Sequence, residues 1–203
     1  MPTYKHLGLL GLLLTVGWLT TGCHEVMWKA NVSRGVAAAQ QGRYAEAEAN
    51  YREALSIMRS LESHQPDVLN RLGAVYMLQG RYADAESVVM RSLTIIEKYR
   101  RPEYPYTADA LRVLATNYTL QRKYTEAEPH YKRALMIGED ALAHPEQAVD
   151  PSATAFGTSD FVAKLLTDYA RLLKETGRDA EATAMETRAQ DIRAKYSKEG
   201  KPQ

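Results

Sequence analysis

The chain of 203 residues has a single cysteine, Cys23, so no internal disulfide can brace it and a thiolate metal site has no ligand set to draw on. Proline and glycine are sparse at 8 and 12 residues, which excludes a fibrous or linker-like chain. An excess of either charge is also missing. The formal net charge is +1, and residues 1–22 contain Lys5 but no acid or arginine; the 26 basic residues less Lys5 therefore leave 25 against 25 acids. Such a balance offers no basic field for a nucleic acid and no polybasic grip on anionic lipid. Catalytic grammar is absent as well. The histidines His6, His24, His64, His130 and His144 fall in no H-E-x-x-H or comparable metal spacing, and neither a phosphate loop nor a G-x-S-x-G elbow occurs. Glu46, Glu48 and Glu53, at helical spacing from Arg43 and Arg52, read as a solvated, ion-paired helix face. The reading is of a chain that is not an enzyme and needs no cofactor. With 45% hydrophobic residues it still has enough apolar surface to build a core.

What is present begins with a leader. MPTYKHLGLLGLLLTVGWLTTGC opens on Lys5 and His6, is mostly apolar from Leu7 to Leu19, then turns small and polar before Cys23. The 13-residue apolar stretch is shorter than the roughly 20 residues a membrane-crossing helix needs, so residues 1–22 read as a secretory signal. The ending resembles a bacterial lipoprotein box, with Thr20 where that box usually places leucine and Leu19 one residue earlier. The resemblance implies that Cys23 receives lipid and becomes the mature N-terminus; a plain cleaved signal with an incidental thiol is the alternative. Acyl chains contribute about 0.8 kcal/mol per buried methylene, enough together for a stable anchor. His24 in place of aspartate after the cysteine implies, by the same resemblance, an outer-membrane lipoprotein facing the periplasm; a secreted or soluble periplasmic protein is the alternative. Residues 23–27 would form a tether shorter than roughly 20 Å, holding the rest of the chain against the bilayer. Trp28 reads either as an interfacial anchor or as packing for the first helices.

Behind the leader one sentence is written four times: GRYAEAEANYREAL (42–55), GRYADAESVVMRSL (80–93), RKYTEAEPHYKRAL (122–135) and GRDAEATAMETRAQ (177–190). In the third copy Ala127, Tyr131, Ala134 and Leu135 fall at i, i+4, i+7 and i+8, one face of a helix, with Glu126, Lys132 and Arg133 on the other. Upstream of three copies stand partner patterns at the same spacing: Leu69, Leu72, Gly73, Tyr76; Leu111, Leu114, Ala115, Tyr118; Leu166, Tyr169, Ala170, Leu173. Each unit is therefore expected to be a helical hairpin that turns at G-R-Y or its equivalent, where glycine frees the chain to leave the first helix. In the third copy Arg122 stands in the glycine's place, so that turn must form without it. In the fourth, Asp179, Glu186 and Gln190 replace Tyr, Tyr and Leu, which reads as a polar end cap.

This pattern resembles the tetratricopeptide repeat, and EAEPHYKRALMI resembles the longer kinesin-light-chain type, in which the proline at position 129 is tolerated. The resemblance implies an all-α solenoid of about four helical hairpins in a right-handed superhelical stack. The expected units are 28–61, 66–99, 108–141 and 163–196, with a long loop over 142–160 and a solvated tail over 198–203. It also implies that the first helices of the hairpins line a concave groove for an extended peptide or partner helix. Carried over, the groove residues are Val32, Val36, Ala39, Asn70, Ala74, Met77, Arg112, Thr116, Thr119, Arg171 and Lys174, apolar at the near end and cationic at the far end. A segment with a hydrophobic anchor and acidic groups would suit that distribution. Val32 and Val36 stand where the family's chaperone-tail clamp needs Lys and Asn, which disfavours that ligand. The expected role is a scaffold that binds a protein or peptide partner in the envelope, attached to the membrane by its N-terminal lipid, with no nucleic-acid partner. Two alternatives remain open: an envelope enzyme or accessory subunit using the loop over 144–160, and a spacer that associates with its own copies.

Overall fold

The units stack as the repeated pattern requires. In a computed structural model, which describes residues 25–99, 105–144 and 155–199, eight α-helices follow one another and the described residues contain no strand. They are α1 (residues 25–40), α2 (Tyr44–Ile57), α3 (Gln65–Leu78), α4 (Tyr82–Lys98), α5 (Pro105–Leu120), α6 (Tyr124–Ala143), α7 (Ala155–Glu175) and α8 (Asp179–Glu199). Two 3-10 turns, Met58–Ser60 and Glu62–His64, join α2 to α3. The leader, Cys23 and the centre of the expected loop lie outside the described residues. Helix α1 already includes Glu25, so the last residues assigned to a tether are helical. The loop expected over 142–160 is shorter than its composition suggests, because α6 continues to Ala143 and α7 starts at Ala155. Packing explains the second boundary: Ser159 and Val162 are buried and Phe161 rests on the core. At the other end α8 runs to Glu199, into the segment expected to be a solvated tail.

Four turns use one device. In each, the second residue of the turn has a left-handed backbone: Gly42 at φ 72°, Gly80 at 75°, Arg122 at 61° and Gly177 at 72°. Its N–H, and that of the residue after it, close onto carbonyls of the preceding helix, as in Gly80 to Met77 (3.0 Å) and Arg81 to Tyr76 (2.9 Å). This satisfies the orphan carbonyls at the helix end. Arg122 and Lys123 make the same bonds to Thr119 and Tyr118, so the third turn keeps the shape and accepts a strained residue.

Within a hairpin, small residues let the helices close. A methyl group added at Gly35 would sit 2.5 Å from the Tyr51 ring, and one at Gly73 would sit 2.4 Å from Val89 Cγ2. Between hairpins, tyrosines bridge. Tyr118 donates to Glu86 (2.8 Å), and Tyr169 donates to Glu128 (2.9 Å) while stacking on Tyr131 at 5.4 Å. Burial, and then the neighbouring carboxylate, push both phenols up to about 12. Arg178 grips both oxygens of Glu128 at 2.9 Å, and Arg81 reaches Glu48 at 2.8 Å. Pro129 is exposed on α6, which runs through it. The last helix exposes Asp179 and Gln190, while Glu186 pairs with Lys174 at 2.6 Å; α1 exposes Ser33 and Arg34 and, near its start, Val26 and Met27 at 69% and 52%.

Candidate functional site

Stacking the first helices side by side leaves a concave groove of about 560 Å³ along α1, α3, α5 and α7. Its wall also takes Tyr51 from α2 and Ile137, Gly138 and Ala141 from α6. Gly138 is there for a reason of space, since a methyl at that position would lie 3.0 Å from Val162 Cγ2 and hold α7 off. Apolar walls stand at both ends: Val36, Ala39, Ala74 and Leu78 at one, Ile137 and Phe161 at the other. Leu78 is 55% exposed.

Of the residues assigned from sequence, Val36, Ala39, Asn70, Ala74 and Arg112 line the groove. The others point elsewhere. Val32 packs on the first core cluster and Met77 lies within it, 8% exposed. Thr116 is buried with its hydroxyl 3.0 Å from the Tyr131 hydroxyl, and Thr119 is buried and donates to the Ala115 carbonyl at 2.8 Å. Arg171 and Lys174 are exposed outside the groove lining, Arg171 at 3.9 Å from Asp168 and Lys174 on Glu186. The cause is helical phase. On α3 the groove is lined by Asp67, Asn70, Arg71, Ala74, Val75 and Leu78; Met77 lies one residue, about 100°, away from Leu78. Reading the sequence missed Gln40, Asp67, Arg71, Leu78, Asp109, Phe161 and Lys164. The spacing of Asp67, Arg71, Ala74 and Leu78 (i, i+4, i+7, i+11) is the signal that could have found them.

The centre of the groove is not a free cationic surface. Arg71 Nε donates to both oxygens of Asp67, at 3.0 and 2.9 Å. Arg112, with its side chain 12% exposed, donates to Asp109 (2.8 Å) and Asp168 (3.2 Å). Burial works against that guanidinium's charge, but the two carboxylates outweigh it and hold its pKa above the ordinary value. Asn70, fully buried, donates Nδ2 to the Tyr106 carbonyl at 2.9 Å, while its Oδ1 has no partner among the described residues. Lys164, also in the wall, is exposed and has no carboxylate partner among the described residues.

The described residues contain no group of three metal-ligating side chains. His130 is half-buried and stacked 5.8 Å from Tyr118; burial, and then the Arg133 charge, lower its pKa. None of the described helices is long and apolar enough to cross a membrane. The arrangement offers shape and contact area.

Family models described as tetratricopeptide repeat match residues 28–60 and 64–140, together more than half of the chain and spanning the first three hairpins. The chain belongs to the tetratricopeptide repeat family. Proteins of this fold are typically interaction scaffolds rather than enzymes, and the repeats imply a protein or peptide partner. Among solved structures, BtubC (BKLC) from P. vanneervenii is similar with a TM-score of 0.66 at 19% identity, over 89% of this chain and 67% of that one. The nearly identical TPR-like repeats of a kinesin light chain from Podosopora anserina give 0.52 at 16% identity, over 83% and 95%. The apo form of RapI gives 0.53 at 15% identity, over 84% and 69%. At these identities the likeness is one of fold, and it extends the kinesin-light-chain-like plan over the fourth hairpin, which the family models leave unmatched. No curated protein matches the chain.

Proposed function

We propose that this protein is a non-enzymatic docking scaffold of a bacterial envelope, anchored through lipid on Cys23 and binding a segment of a partner protein in the concave groove. The observation that carries the docking half is the groove itself: it crosses all four hairpins and exposes apolar side chains, while the titratable groups at its centre are tied up in ion pairs. The anchoring half rests on sequence, on a leader whose apolar run ends four residues before the only cysteine. The polar end face on α8 speaks against a spacer built from stacked copies, since an unpaired repeat end that is to be covered should be apolar.

The two halves are tested separately. In cells fed labelled palmitate, the protein is expected to take up label and Cys23→Ser to take up none; an unlabelled wild type refutes the anchor. For docking, in-cell crosslinking from a photoreactive residue at Gln40 is expected to capture a defined envelope protein, and Leu78→Ser is expected to abolish capture with helicity unchanged. Capture that persists in the variant removes the groove from the reading.

A further inference from the structure

The docking reading leaves open what kind of segment the groove accepts, and the way its charges are arranged narrows the choice. Arg71 and Arg112 cross the middle of the groove, and each is already held by carboxylates on its own or a neighbouring helix: Asp67 for the first, Asp109 and Asp168 for the second. An acidic group entering there would have to displace a carboxylate already 2.8 to 3.2 Å from Arg112 and lose its own hydration. A basic group would meet the same obstacle at Asp67 and Asp109. Lys164 is unpaired among the described residues, but it is exposed, where water and salt weaken its pull. What remains open is apolar: Leu78, 55% exposed, with partly buried Ala74 beside it at one end, and partly buried Phe161 at the other, whereas Ile137 is buried in the core.

Resting on the docking reading, we propose that the groove accepts a net-neutral segment of a partner protein, held by apolar side chains that seat on Leu78. Recognition is by shape and apolar contact, and the internal ion pairs act as a filter that turns charged segments away.

The test uses the purified full chain and three fluorescein-labelled, end-capped decapeptides. One carries two leucines four residues apart in an alanine and glutamine background; the second and third add three glutamates or three lysines to it. Fluorescence polarisation is read at 50 and 500 mM NaCl. The neutral peptide is expected to bind tightest, with less than about a twofold change between the two salts. Leu78→Asp and the uncharged Leu78→Ser are each expected to weaken it about tenfold or more at an unchanged circular-dichroism melt, and Lys164→Glu by less than about twofold. Tighter binding of the glutamate peptide, lost at high salt and in Lys164→Glu, overturns the neutral-segment inference and leaves docking in the groove standing. Binding of none of the three peptides also overturns it, and the docking reading then stands or falls on its own crosslinking result with Leu78→Ser.

Discussion

Of the glycines within the hairpins, Gly73 is the one whose added methyl would sit closest to a neighbour, and it allows a prediction that separates steric fit from helix propensity. A methyl group there would lie 2.4 Å from Val89 Cγ2, 3.4 Å from Val88 Cγ2 and 3.5 Å from the Ala85 carbonyl oxygen. Carbon atoms in contact normally stand about 3.5 to 4.0 Å apart, so Gly73→Ala must push α3 and α4 apart by about 1 Å or twist Val89 out of its well. Overpacking of this kind costs about 1 to 3 kcal/mol, and replacing a mid-helix glycine by alanine returns about 1 kcal/mol. The net expectation is a loss of about 1 kcal/mol. Val89→Ala removes two buried methyl groups from a fully buried site and is expected to cost about 2 kcal/mol. Together the two changes should cost less than their sum, because the new methyl group then has nothing to meet and fills part of the void. The double variant is expected to lie about 1 kcal/mol below wild type, a coupling of about 2 kcal/mol. Urea unfolding followed at 222 nm and by tyrosine fluorescence measures all four corners of the cycle. Additive costs, within about 0.5 kcal/mol, would show that the glycine serves some purpose other than the close approach of these two helices.

Two further outcomes follow from the geometry. Arg122 holds φ at 61° where the other three turns have glycine, so Arg122→Gly relieves about 1 to 2 kcal/mol of strain against an unfolded-chain entropy cost of about 0.4 to 1 kcal/mol. A net gain of up to about 1 kcal/mol, or a few degrees in thermal melting, is expected, and a lower melting temperature would refute it. Glu128 is held down to about 2 by its bonds from Lys132, Arg178 and Tyr169. A depressed carboxylate stabilises the fold above its ordinary value near 4.5 and loses that contribution as pH falls toward about 2, so the melting temperature should fall through that window. In Glu128→Gln the acid limb should flatten and the neutral-pH melting temperature should drop; an unchanged acid limb would remove Glu128 from the account.

The helices and their turns were legible in the chain because their causes are local. Apolar residues at 3.6-residue spacing, glycine at 42, 80 and 177, and small residues opposite large ones act within one hairpin, and a repeated pattern displays them four times. Arg122 shows how far this reaches: its place in the alignment identified a turn that its residue type would not suggest, and the backbone there is left-handed. The groove was legible only in part. Whether Met77 or Leu78 faces it is a matter of about 100° of helix rotation, set by how Tyr76 and Met77 seat themselves in the core. The charge at its centre was decided by a contact between Arg112 and Asp168, 56 residues apart, which no periodicity announces. Local spacing thus specified what the repeating unit is, whereas rotation and long-range ion pairing, which depend on every neighbour at once, decided which side chains the stack presents to a partner.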